Sequence, residues 1–97
     1  MSMEYIESSS ATALHSFINF AEFVAQTEFL ADEESEEFKE QYGRAWFEME
    51  LVNSLALAEW EQDGCPREWG KIWGEKYKEE AKETLHEFLE VVKKWPD

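Results

Sequence analysis

Phe38, Tyr42, Ala45, Met49, Val52, Ala56 and Trp60 follow one another at steps of four, three, four, three, four and four residues. An α-helix returns to the same face about every 3.6 residues, so only a long helix gathers these side chains into one seam. The spacing predicts a helix over about residues 33–62, with a core made by packing other segments against it. Phe47, Leu51, Leu55 and Ala58 form a second apolar strip on the same helix. Gly43 interrupts the pattern and predicts either a kink or a close helix approach. Period-two alternation, which a half-buried strand needs, persists nowhere in the sequence.

The flanking sequence supports two more helices. Leu14, Phe17, Ile18, Ala21, Val24, Ala25 and Phe29 make a stripe that predicts a helix over 11–30, with Ser8, Ser9 and Ser10 as capping candidates. Phe20, Phe23 and Leu30 fall off that stripe. Asp63-Gly64 ends the long helix, and Pro66 suits the first turn of the next, predicted over 66–94. Its inner face reads Trp73, Tyr77, Ala81, Leu85, Phe88, Val92 and Trp95. Gly70 and Gly74 predict either a tight crossing by another helix or room for Trp69 and Trp73 to splay. Residues 1–10 read as a flexible lead-in. The expected fold is all-α, a single domain over 1–97 in which a short helix packs on a long antiparallel helical hairpin, three-helix bundle-like.

Charge narrows the choice of partners. Residues 1–63 hold 15 of the 23 acids and only Lys39 and Arg44 as bases, within a net charge of −14. Each phosphate contact needs a Lys or Arg, so direct nucleic-acid binding is not expected. An anionic membrane would repel the chain for the same reason. A basic protein surface would attract it. Asp32, Glu33, Glu34, Glu36, Glu37 and Glu40 crowd nine positions, more acids than capping and the helix dipole need, and are candidate partner contacts.

The aromatic residues supply candidate anchors. Trp46, Trp60, Trp69, Trp73 and Trp95 are five tryptophans in 97 residues, and tryptophan is enriched at binding hot spots. A three-helix core of this size is not expected to absorb every aromatic. Phe20, Phe23, Phe47, Trp69 and Trp73 are therefore assigned to an exposed patch, for a host protein or for a second copy in a homodimer.

Catalytic patterns are incomplete. Glu83 and His86 form a Glu-x-x-His pair of the kind di-iron bundles use in two copies with two further glutamates. The only other histidine is His15, preceded at the matching position by Thr12, so no metal or other cofactor is expected. Cys65 with His15 or His86 lacks a third orienting group. There is no glycine-rich phosphate loop, zinc-ligand spacing or nucleophile elbow. The expectation is a protein without catalytic residues. The lone Cys65 fits a reducing cytoplasm, and neither a signal peptide nor an apolar run of ~20 residues is seen.

Lys78-Glu79-Glu80-Ala81-Lys82-Glu83-Thr84-Leu85-His86-Glu87-Phe88-Leu89-Glu90 is a carboxylate-rich helical stretch in an acidic chain. In this the protein resembles the DNA mimics with which bacteriophages block restriction enzymes, although lysines interleave its acids. In length, mass and cytoplasmic character it resembles the small anti-RecBCD recombination proteins of lambdoid phages. Both groups are counter-defence factors. The resemblance implies a non-enzymatic phage protein, acting in the bacterial host cytoplasm, that binds and modulates a DNA-processing enzyme. The RecBCD helicase–nuclease is the favoured target, so that DNA ends survive and enter recombination. The alternatives are an acidic DNA mimic acting on a restriction enzyme or other DNA-binding protein, and a generic helical protein-interaction module.

Overall fold

Residues 2–96 are described by a computed structural model, and they form an all-α protein of four helices. Helix α1 is Ser2–Ser10, α2 is Phe17–Thr27 and α3 is Glu36–Gln62. Helix α4 begins as Gly70–Ile72, passes through a π-helical turn at Trp73–Tyr77 and continues as Lys78–Val92. The segment expected to be a flexible lead-in is thus helix α1. It is held by Ile6, which is fully buried, and by the Tyr5 hydroxyl, which donates to Gln26 Oε1.

Local capping explains where the helices start. Ser16 Oγ accepts the Asn19 N–H at 3.1 Å, so α2 begins at Phe17 rather than at residue 11. Ser8, Ser9 and Ser10 belong to the end of α1 and do not cap α2. Ser35 Oγ accepts the Phe38 N–H at 3.2 Å and starts α3. Asp32, Glu33 and Glu34 therefore lie in the turn before α3, not on it. At the other end the Cys65 N–H returns to Trp60 O at 2.9 Å and the Gly64 N–H to Glu61 O at 3.1 Å. This pair of bonds is a Schellman cap, and Gly64 takes the left-handed φ of 90° that it requires.

The π-turn answers a mismatch in the inner face of α4. Trp73, Tyr77, Ala81 and Leu85 lie four residues apart. In a regular α-helix each such step drifts by about 40° around the axis. The wider turn at Trp73–Tyr77 offsets part of that drift, so Trp73 is buried, Tyr77 half-buried, and Ala81, Leu85, Phe88 and Val92 still point inward. Lys76 and Tyr77 meet Glu59 near the end of α3, while Trp95 packs on Phe38 and Tyr42 near its start. The two long helices therefore run in opposite directions, and α2 lies against them.

The core is largely aromatic. Phe17 contacts Trp60, Trp69 and Trp73 at ring-centroid distances of 5.6, 5.4 and 6.1 Å. Phe20 meets Trp73 at 5.5 Å and Phe23 meets Phe88 edge-on at 6.0 Å. Four residues assigned to an exposed patch are thus core: Phe20 is 0%, Phe23 3%, Trp69 6% and Trp73 2% exposed. Ile18, Ala25 and Phe29, expected to face inward, are exposed instead. The inward face of α2 is Phe17, Phe20, Phe23, Val24 and Thr27, rotated from the expected stripe because Trp73 and Phe88 fill the space on that side.

A Cβ placed at Gly43, Gly70 or Gly74 would meet no heavy atom within 4 Å, so none of these marks a close approach. Gly43→Ala should accordingly raise stability by about 1 kcal/mol, the helix-propensity difference. Gly64→Ala should lower it by about 1–2 kcal/mol, because alanine is strained at this φ although space is open. Urea midpoints of the two variants moving in opposite directions would verify this reading.

Candidate functional site: the solvent face of the long helix

Helix α3 is apolar on two sides. One side, Phe38, Tyr42, Met49, Val52 and Ala56, is buried. On the other, Phe47, Leu51 and Leu55 are 52%, 45% and 63% exposed, and Ala58 is exposed with them. Steps of four, four and three place these four on one line, about 17 Å long at helical rise. A helix that serves only as a wall of the core keeps polar residues outside. Adjacent exposed large apolar side chains of this kind mark contact surfaces.

Carboxylates surround this ridge. Glu36, Glu37 and Glu40 lie on the exposed start of α3, with Glu48 and Glu61 exposed beside and beyond the ridge. The two bases of the helix are engaged: Lys39 pairs with Glu36 at 3.2 Å and Arg44 with Glu40 at 2.7 Å. Asp32 and Glu33 are exposed in the preceding turn, whereas Glu34 is half-buried and its Oε2 accepts the Trp95 indole N–H at 3.3 Å. The six assigned acids therefore form a turn followed by a helix start. Of the five assigned aromatics only Phe47 reaches solvent, and Leu51 and Leu55 accompany it. The sequence carried that signal as the second strip of α3.

The tryptophans that looked like binding anchors fasten the connecting segments. Trp73 Nε1 donates to Leu14 O at 3.1 Å and Trp46 Nε1 to Val24 O at 2.8 Å. Trp60 Nε1 donates to Pro66 O and Trp69 Nε1 to Asp63 Oδ2, both at 2.9 Å. With the Trp95 bond to Glu34, every indole N–H has an acceptor: a backbone carbonyl for Trp46, Trp60 and Trp73, and a carboxylate oxygen for Trp69 and Trp95.

Other candidate chemistry is sparse. Among the described residues no three His, Cys, Asp or Glu side chains gather in a way that could hold a metal ion. Cys65 is exposed in the α3–α4 turn with φ 54°. A groove of about 250 Å³ is lined by His15, Phe17, Ile18, Trp60, Arg67 and Trp69, among others. It is open, and smaller than the roughly 300–1,000 Å³ of typical small-molecule sites. No helix is long and apolar enough to cross a membrane, among the described residues.

Titration behaviour reports on packing at either end of α3. Glu59 accepts from Lys76 Nζ at 2.8 Å and from Tyr77 OH at 2.6 Å, and these bonds hold its carboxyl below the usual range. The same bond, with burial, pushes Tyr77 up to about 12. Tyr42 donates to Thr27 O, and burial, then the charge of Asp32, raises its phenol well above the ordinary value. No protein-family model, curated protein or solved structure matches the chain.

A raised tyrosine pKa stabilises the fold below the unfolded value near 10 and ceases to do so as pH rises through the folded value. Stability should therefore decline above about pH 10. Tyr42→Phe/Tyr77→Phe should be less stable at pH 8, having lost two hydrogen bonds, yet lose less on transfer to pH 11. Urea midpoints at the two pH values measure both effects.

Proposed function

We propose that this protein works without catalysis, by docking the solvent face of α3 onto another protein whose surface is basic. The observation that carries the reading is the exposed line Phe47–Leu51–Leu55 set among carboxylates. Burial of half-exposed leucine and phenylalanine side chains supplies adhesion that salt does not screen. The surrounding negative charge speeds encounter with a basic surface and disfavours acidic ones. Enzymes that process DNA carry basic surfaces because they hold a polyanion. With the resemblance to phage counter-defence proteins, this makes RecBCD the target to assay first.

The assay is degradation of linear duplex DNA by purified RecBCD, with and without the protein. Altered degradation in the presence of the wild-type chain is expected, with Phe47→Ser/Leu51→Ser/Leu55→Ser at least about tenfold weaker at the same concentration. The triple variant should stay folded and unfold at a urea concentration close to or slightly below that of wild type, since these side chains are outside the core but serine is a poorer helix former than leucine. An unchanged nuclease would remove RecBCD as the target. A triple variant as potent as wild type would remove the ridge as the docking surface. Reversing Glu33, Glu36 and Glu37 to lysine should weaken binding with the helical circular dichroism preserved; Glu34 is left in place because it accepts the Trp95 indole N–H.

A further inference from the structure

The solvent face of α3 is a helical surface in its own right, with a recognisable complement. Resting on the reading that this face docks a protein, we infer that the element it receives is an amphipathic helix whose apolar stripe is flanked by lysines and arginines. Three features favour this occupant.

The first is periodicity. Phe47, Leu51, Leu55 and Ala58 repeat at helical spacing along one side of an unbroken run of about three turns of α-helix. Such a row offers knobs to the holes of a second helix laid alongside, with anchors at similar spacing. It offers no free strand edge for an extended peptide, since α3 satisfies its backbone groups internally.

The second is charge. Glu48 is exposed beside the row, Glu37 before it and Glu61 beyond it, while Glu36 and Glu40 pair with Lys39 and Arg44, so the unpaired charge on this face is negative. Residues beside the apolar seam of a helix pair choose the partner by sign. An acidic helix would meet repulsion at Glu48 beside the row and at both of its ends, and a basic one attraction there.

The third argues against a second copy of this chain. Two α3 helices packed face to face would bring the same carboxylates together, on molecules that each carry a net charge of −14. Opposite charges flanking a shared seam hold helix pairs together; like charges there oppose association.

The test uses three synthetic peptides of equal length with helix-forming patterns: leucine stripe with lysine flanks, leucine stripe with glutamate flanks, and serine stripe with lysine flanks. Binding to the wild-type chain and to Phe47→Ser/Leu51→Ser/Leu55→Ser is read by fluorescence anisotropy, and peptide helicity by circular dichroism difference. The leucine–lysine peptide is expected to bind best and to gain helix on binding. The triple variant and the serine–lysine peptide should each lower affinity at least about tenfold, because each removes one side of the apolar contact. Equal binding of the leucine–glutamate peptide would overturn the basic partner while leaving α3 a docking face. A wild-type dimer in sedimentation that the triple variant turns into a monomer would replace the basic helix with a second copy. Binding of both lysine peptides that the triple variant leaves unchanged would overturn the inference and the docking face together. Absence of binding by all three peptides, with RecBCD modulation still lost in the triple variant, would overturn the helical partner alone.

Discussion

Trp73 is the contact on which the arrangement of the other helices depends. It is 2% exposed, touches Phe17 and Phe20 of α2, and bonds through its indole N–H to Leu14 O, fifty-nine residues away. The carbonyl it reaches lies in the irregular segment between α1 and α2, so one side chain joins the start of α4 to the N-terminal region. Truncation of a buried tryptophan costs about 3–5 kcal/mol, a large share of the roughly 5–15 kcal/mol that holds a domain together. The π-turn at Trp73–Tyr77 belongs to the same device. It leaves Trp73 inside while Tyr77 stacks on Trp69 at 5.9 Å and bonds to Glu59.

A second aromatic group closes the opposite end. Phe38, Tyr42, Phe88 and Trp95 lie within 5.0–6.0 Å of one another in successive pairs. The molecule as a whole is 43 Å long with a cross-section of 21 by 18 Å. A body so narrow has room for side chains only between its helices, which leaves the outer side of α3 uncovered. Its apolar ridge is therefore not surplus core waiting to collapse. The core is already filled by the opposite face of the same helix, and surface ion pairs such as Arg44–Glu40 contribute little either way.

The same geometry reconciles a strongly acidic chain with a stable fold. The carboxylates ring the outside, where water screens them, and those drawn inward have donors: Glu34 from Trp95, Glu50 from Asn53 and Glu59 from Lys76 and Tyr77. Repulsion among the rest is a property of the surface and so acts on partners as much as on the fold.

The sequence by itself determined most of α3, the Asp63-Gly64 stop, the inner face of α4 from Tyr77 onward and the distribution of charge. Each follows from spacing or from local backbone chemistry within a few residues. It did not determine that residues 2–10 are helical, since α1 has little apolar pattern of its own and is held largely by Ile6. It turned the wrong stripe of α2 inward, with Ile18, Ala25 and Phe29 in place of Phe20 and Phe23, and it grouped the exposed Phe47 with the buried Phe20, Phe23, Trp69 and Trp73. Periodicity states which side chains share a face; it does not state which face is covered. That was decided by tertiary contacts from distant sequence, Trp73 and Phe88 against α2, and by the absence of any helix over the outer row of α3 among the described residues.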